Sequence, residues 1–353
     1  METMRNCNRR TMNKKSLTKH LSLVVDLYGC PNRCRHCWLG HMPNKRMEEG
    51  ADEWIFRYFE PYFENITFYS WLREPDYCDN YRERWDRDKR LSRGIMPQRF
   101  ELGSFWRIVR DAQYVRFLKD VGVHTVQLTF FGLEQLTDRY VGRKGAFREL
   151  LRTTEILLEN EIAPRWQAFI NEENREEVAL LLPLAEELKL SERCAAFGAE
   201  FSFFVHAGSC DGENRKLYGI RINKQDIPGI LIPYFLNYDQ IETEREWCER
   251  LKDDEHSVVY HNTEDIVLNI SNQYDVFFNF THMTANWKIG NMKTEDRDEL
   301  IRRIVEEDTE ALNLARNISL GELVKQYGDF RSDKVFTQED YKSYLLNCYI
   351  DGQ

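Results

Sequence analysis

The stretch Leu21-Ser22-Leu23-Val24-Val25-Asp26-Leu27-Tyr28-Gly29-Cys30-Pro31-Asn32-Arg33-Cys34-Arg35-His36-Cys37 decides how this chain of 353 residues is read. Leu21–Tyr28 is an apolar run of strand length that stops at Gly29. Cysteines then follow in a C-x3-C-x2-C run. With nine cysteines in the chain, such a run is expected by chance only roughly 0.006 times. The spacing is therefore a signal for metal or redox chemistry. Cys7, Cys78, Cys194, Cys210, Cys248 and Cys348 are scattered, and read as small apolar residues or unreactive thiols.

Three clustered thiols leave a choice of metal. A structural zinc takes four ligands. His36 or His41 could supply the fourth, but the usual second pair of cysteines is missing downstream. A four-iron cube normally takes four cysteines, one per iron. Three would leave one iron open to a substrate or cofactor.

Outward from this loop, apolar runs alternate with helical periodicity. Strands are predicted over 21–28, 65–71, 102–109, 125–131, 165–170 and 200–206. Between them, Trp54, Ile55, Tyr58, Phe59 and Tyr62 recur at helical spacing. Asp111 can cap a helix that stops at Gly122. Helices are also predicted over 147–160 and 178–188, the latter kinked at Pro183. Residues 73–93 are dense in charge and read as a surface loop. Six such units imply parallel strands with right-handed crossovers. The expected fold is α/β, a partial (β/α)6 TIM-like barrel with a smaller α+β C-terminal extension. In a barrel the chemistry sits at the C-terminal ends of strands, where the cysteine loop falls.

After about residue 215 the rhythm changes. Helices are predicted over 242–251, 295–306 and 338–347, and strands over 257–260, 266–270 and 275–280. The expected division is a basic N-terminal arm (1–20), a core (21–215) and an extension (216–353).

The net charge is −10, which argues against bulk nucleic acid as the main partner. Residues 1–20 are the local exception, with six Lys/Arg against Glu2. No segment approaches the ~18 apolar residues of a membrane helix, and no secretory signal is visible. A cytoplasmic protein is expected.

The cysteine run, placed after the first strand of a six-unit β/α chain, resembles the radical S-adenosylmethionine (SAM) superfamily. There the position before the third cysteine is commonly aromatic, and His36 stands in it here. The second strand of that family ends in a Gly-Gly-Glu-Pro-like segment. This chain has Trp71-Leu72-Arg73-Glu74-Pro75, without the glycines but with Glu-Pro. The resemblance implies that Glu74 meets the SAM ammonium, a sensible charge pairing. Gln127-Leu128-Thr129 and the segment Thr137–Phe147 resemble the region after the fourth strand in peptide-modifying members. Gln127, Thr129 and Arg143 are the implied contacts to SAM ribose and carboxylate, with Gln167 on the next strand. Asp275-Val276-Phe277-Phe278-Asn279 and Ile289-Gly290-Asn291-Met292 resemble a SPASM/Twitch-like extension, here free of cysteine between Cys248 and Cys348.

The resemblance implies a [4Fe-4S] cluster on Cys30, Cys34 and Cys37. Such a cluster reductively cleaves SAM to a 5′-deoxyadenosyl radical, which abstracts hydrogen from a peptide or small-molecule substrate. A reducing compartment and a flavodoxin- or ferredoxin-type electron donor follow from it. Two other readings of the residues remain: a cluster-bearing regulator without turnover, and a zinc-stabilised binding module.

Overall fold

The computed structural model describes residues 19–37, 39–94, 102–258, 260 and 265–352. The basic arm therefore lies outside the described residues, except for Lys19 and His20. In chain order the first part holds β1 (Leu21–Val25), α1 (Ala51–Phe59), β2 (Ile66–Tyr69), α2 (Tyr81–Leu91), α3 (Phe105–Ile108), α4 (Ala112–Asp120), β3 (Thr125–Phe130), α5 (Glu134–Val141), α6 (Ala146–Glu159), β4 (Ala163–Phe169), α7 (Arg175–Ala179), α8 (Leu181–Glu187), α9 (Leu190–Ala195) and β5 (Ser202–His206). Stretches of 3-10 helix follow, including Gly212–Ile220 and Gly229–Tyr234. The chain then forms β6 (Glu242–Thr243), α10 (Glu244–Leu251), β7 (Ile266–Ile270), β8 (Asp275–Phe278), β9 (Gly290–Asn291), α11 (Arg297–Glu306), α12 (Glu310–Arg316), α13 (Leu320–Tyr327), β10 (Val335–Phe336) and α14 (Gln338–Asp351).

The fold is mixed α/β with parallel strands, as the alternation implies. β1 pairs in parallel with β2 from Leu21↔Ile66 and with β7 from Leu21↔Ile266. β8 and β9 continue that sheet antiparallel, giving the order β2-β1-β7-β8-β9. A second sheet, β3-β4-β5, is wholly parallel. A strand from the C-terminal part thus lies directly beside the first strand of the chain.

One predicted strand is replaced. Residues 105–108 are helical, not extended. Ser104 caps them, its hydroxyl accepting the Arg107 amide at 3.1 Å. A serine cap supports a helical turn and takes this stretch out of the strand series between β2 and β3. The strand predicted over 257–260 is also not formed as such. Val258 makes an isolated antiparallel bridge to Ser319, and Val259 lies outside the described residues.

Side-chain alternation settles which face of the second sheet is dry. Val126, Leu128 and Phe130 of β3 are buried against the helices, as are Trp166 and Ala168 of β4. The period of two sends Gln127 and Thr129 to the opposite face. Register then aligns Thr129 with Gln167, and Gln167 with Phe204. α6 buries Leu150, Thr154, Leu157 and Leu158, the face its helical period marks. The predicted helix over 178–188 is broken at Leu180, which separates α7 from α8.

The charged segment 73–93 is not a loop throughout. Residues 81–91 form α2, with Arg84, Trp85 and Asp88 buried. Arg84 is 5% exposed and pairs with Asp52 at 2.5 Å and Asp88 at 2.9 Å. Asp88 in turn accepts the Ser70 amide at 3.1 Å and its hydroxyl at 2.7 Å. The network ties α1 and α2 to the end of β2. The two carboxylates hold Arg84 charged, while burial outweighs the pull of Arg84 on Asp88 and pushes that carboxyl up to about 6.

Arg84→Ala leaves the buried Asp88 without its cation, while Asp52 keeps Arg87 at 2.7 Å, and breaking such a buried pair costs about 3–5 kcal/mol. Asp88 has a raised folded pKa, so the folded state gains protons first as pH falls from about 6 toward its ordinary 3.8. The variant's stability loss in urea unfolding should therefore be larger at pH 8 than at pH 5. An equal loss at both would contradict the network.

Candidate functional site

Asp26 directly follows β1, and the cysteine loop begins at Gly29. Asp26 is 1% exposed, with Arg73 at 7%. The guanidinium is bidentate on this carboxylate, Nε to Oδ1 at 3.1 Å and Nη2 to Oδ2 at 2.7 Å. Its remaining donors reach the carbonyls of Met42 at 3.1 Å and Pro43 at 2.8 Å. Asn272, in the β7–β8 turn, also donates to Pro43 and to Lys45. On the opposite side the amides of Arg33 and Arg35 donate to the carbonyls of Val141 and Tyr140. Gly142 is needed there. Its φ is +71°, and a Cβ would stand 2.6 Å from the Arg33 carbonyl oxygen.

The loop so held places Cys30, Cys34 and Cys37 around one cavity of about 420 Å³, within the range of small-molecule sites. Among the described residues, no group of three His, Cys, Asp or Glu is already gathered at metal-binding distance. The donor set nevertheless fits an iron–sulfur cluster: three thiols from one anchored loop face one cavity, one for each of three irons. Burial pushes the Cys34 thiol up to about 12, and raises Cys30 and Cys37 as well. A thiol so placed keeps its proton until a cation takes the charge.

Glu74 shares this cavity. One of its oxygens lies 3.9 Å from Cys30 Sγ, and the other accepts the Ser104 hydroxyl. Burial pushes its carboxyl up to about 7, against the pull of Ser104 and Arg143. Asp76, two residues on, anchors the segment. It accepts Trp85 Nε1 at 2.8 Å and the Tyr114 hydroxyl at 2.6 Å, while its carbonyl accepts Arg107 Nε.

Gln127 and Thr129 also line the cysteine cavity, as does His36. The His36 ring lies 4.3 Å from Phe131 and 4.5 Å from Phe169, centroid to centroid. Burial drives its pKa down to about 3, so the ring is neutral. Gln167 does not line this cavity. It hydrogen-bonds to Gln127 on one side and His206 on the other, and faces an adjoining space. Arg143 lines neither space. Its Nε donates to Asn32 at 2.9 Å, and Nη1 pairs with Glu149 at 2.6 Å. It braces the cysteine loop from behind while its charge acts on Glu74 and Cys34.

Sequence reasoning missed Asp26, Arg73, Asp76 and Ser104. Only Asp26 carried a visible signal, as a lone acid inside an apolar strand. The partners of the others are set by chain crossings.

No protein-family model matches the chain, and no curated protein does. Among solved structures, the chain is similar to Streptococcus suis SuiB bound to its precursor peptide SuiA, at 13% identity and a TM-score of 0.47. That match covers 92% of this chain and 76% of the other. It is also similar to anSMEcpe with bound AdoMet, at 12% identity and a TM-score of 0.49, covering 94% and 99%.

Asp26→Ala leaves Arg73 buried without its carboxylate, a loss of about 3–5 kcal/mol. Urea unfolding should show it, and anaerobic loading with iron and sulfide should fall below one cluster per folded chain. Full loading with unchanged stability would remove the clamp from the account.

Proposed function

We propose that this chain is a radical SAM enzyme acting on a peptide or small-molecule substrate. One observation carries the reading. The three cysteines of a C-x3-C-x2-C loop, at the C-terminal end of the first parallel strand, line one cavity with Glu74, Gln127 and Thr129. When bound there, a [4Fe-4S] cluster supplies the electron that cleaves SAM to a 5′-deoxyadenosyl radical able to abstract hydrogen.

The residues divide the work. Cys30, Cys34 and Cys37 hold the cluster, and the Asp26–Arg73 pair keeps their loop against the strands. Glu74, fixed by Ser104, accepts hydrogen bonds from the ammonium of SAM. Its carboxyl, raised when the cavity holds no cation, gives up its proton as that positive charge arrives. Gln127 and Thr129 present hydrogen-bonding groups from the polar face of β3 toward the remaining polar groups of SAM. His36, packed against both Phe131 and Phe169, lines the cavity with an uncharged ring. Burial of this wall keeps water from the reacting carbon. No helix among the described residues is long and apolar enough to cross a membrane. A reducing cytoplasm with a flavodoxin- or ferredoxin-type donor suits the chemistry.

Protein reconstituted anaerobically with iron and sulfide, then given SAM and dithionite, should release 5′-deoxyadenosine detectable by mass spectrometry. Cys34→Ala should release none. Glu74→Gln should keep its cluster but raise the KM for SAM about tenfold, the loss of one charge-assisted contact. A loaded cluster that leaves SAM intact would favour a regulator without turnover. One zinc per chain with no labile sulfide would favour a structural zinc site.

A further inference from the structure

A second cavity, of about 600 Å³, adjoins the cysteine cavity and shares His36, Gln127 and Thr129 with it. Its inner wall is the polar face of the second sheet, where Gln167 and His206 hydrogen-bond to each other. The outer wall comes from the C-terminal part of the chain, through Val335, Thr337 and Asp340. Two parts of the sequence far apart thus enclose one space, and the shared wall brings its contents next to the cysteine loop.

The charged groups of this space are unequal. Arg221 is present but already engaged. Its Nε donates to the Val335 carbonyl and Nη1 to the Gly208 carbonyl. Its guanidinium carbon sits 4.0 Å above the Phe336 ring, and the side chain is 2% exposed. A ligand carboxylate or phosphate has little access to it. Asp340 is the opposite case. It lies in the first turn of α14, whose N-cap is Thr337. Its backbone N–H donates to the Thr337 hydroxyl at 3.2 Å, which anchors the residue at the start of the helix. The nearest guanidinium nitrogen of Arg221 is 3.7 Å away, and the Asp340 side chain remains 36% exposed. Among the described residues lining the cavity it is the sole carboxylate. Burial lowers the pKa of His206 to about 4, so that ring adds no charge near neutral pH.

We infer that this second cavity is the substrate site, and that Asp340 selects substrates presenting an ammonium or hydroxyl donor at that end while excluding anions. The inference rests on the reading proposed above, and it adds the chemical class of the substrate. A partly exposed carboxylate accepts donors, while Arg221, almost wholly buried with Nε and Nη1 committed to backbone carbonyls, offers an incoming anion little direct contact. Phe169, Phe235 and Ile241 supply apolar wall for the rest of the molecule.

Three probes of one shape separate the cases: benzylamine (protonated at neutral pH), benzyl alcohol and benzoate. Their affinities for the full chain, loaded and unloaded with iron and sulfide, are measured by ligand-observed saturation-transfer NMR. The expected order is benzylammonium, then benzyl alcohol, with benzoate weakest. Asp340→Asn should erase the preference for the ammonium over the alcohol, a change of about tenfold. Leu236→Trp, at a 46% exposed position on the cavity rim, should weaken both of the tighter probes. Circular dichroism confirms that the variants are folded. Benzoate binding as tightly as benzylammonium would overturn the inference. So would a preference that survives Asp340→Asn, binding unaffected by Leu236→Trp, or no binding of any probe. Absence of 5′-deoxyadenosine in the SAM assay would overturn the proposed activity while leaving this order of affinities intact, so the two failures are distinguishable.

Discussion

A buried ion pair holds the working end of this protein together. Asp26 follows β1 directly, and its amide donates to the Ile270 carbonyl of β7. Arg73 lies just past β2. Their bidentate contact, almost sealed from solvent, joins the ends of two strands at the point where the cysteine loop departs. The same guanidinium takes two carbonyls of that loop. A buried charge is tolerated only when paired and fully hydrogen-bonded. Both conditions are met here by groups that also define where Cys30 and Glu74 stand.

The second organising constraint is the two-residue period of β3. Its apolar residues pack on helices, so Gln127 and Thr129 must face the other way. Parallel register with β4 and β5 carries the polar face on through Gln167 to His206. One strip of hydrogen-bonding groups thereby runs from the cysteine cavity into its neighbour. The C-terminal part closes the far side, through β10 and the start of α14. Its polar contribution differs in kind, a single open carboxylate beside an enclosed guanidinium. The two cavities thus share a wall and differ in chemistry.

The chain's legibility varied by the range of the interaction. The cysteine run, the alternation of strands and helices, and the amphipathic face of α6 are local patterns, and each could be read from neighbouring residues. Glu74 could be singled out by its Glu-Pro context, and the structure puts it beside Cys30. The segment 102–109 misled because its apolar residues suit a strand equally well. Ser104 decided for a helical turn, since its hydroxyl could serve both the Arg107 amide and Glu74. The charged segment 73–93 misled for a related reason. Its charges are paired with residues on α1 and within α2, and pairing let them go inside.

The sequence by itself determined the α/β class, the place of the cysteine loop after the first strand, and the residue types available to hold a cluster. Those depend on periodicity and spacing, which act over a few residues. Only the tertiary structure decided that Arg73 clamps Asp26, that Arg143 braces the loop from outside the cavity, and that β7 lies beside β1. It alone brought Asp340 and His206 to one cavity. Such pairings join positions tens to hundreds of residues apart, and they are set by sheet register and burial.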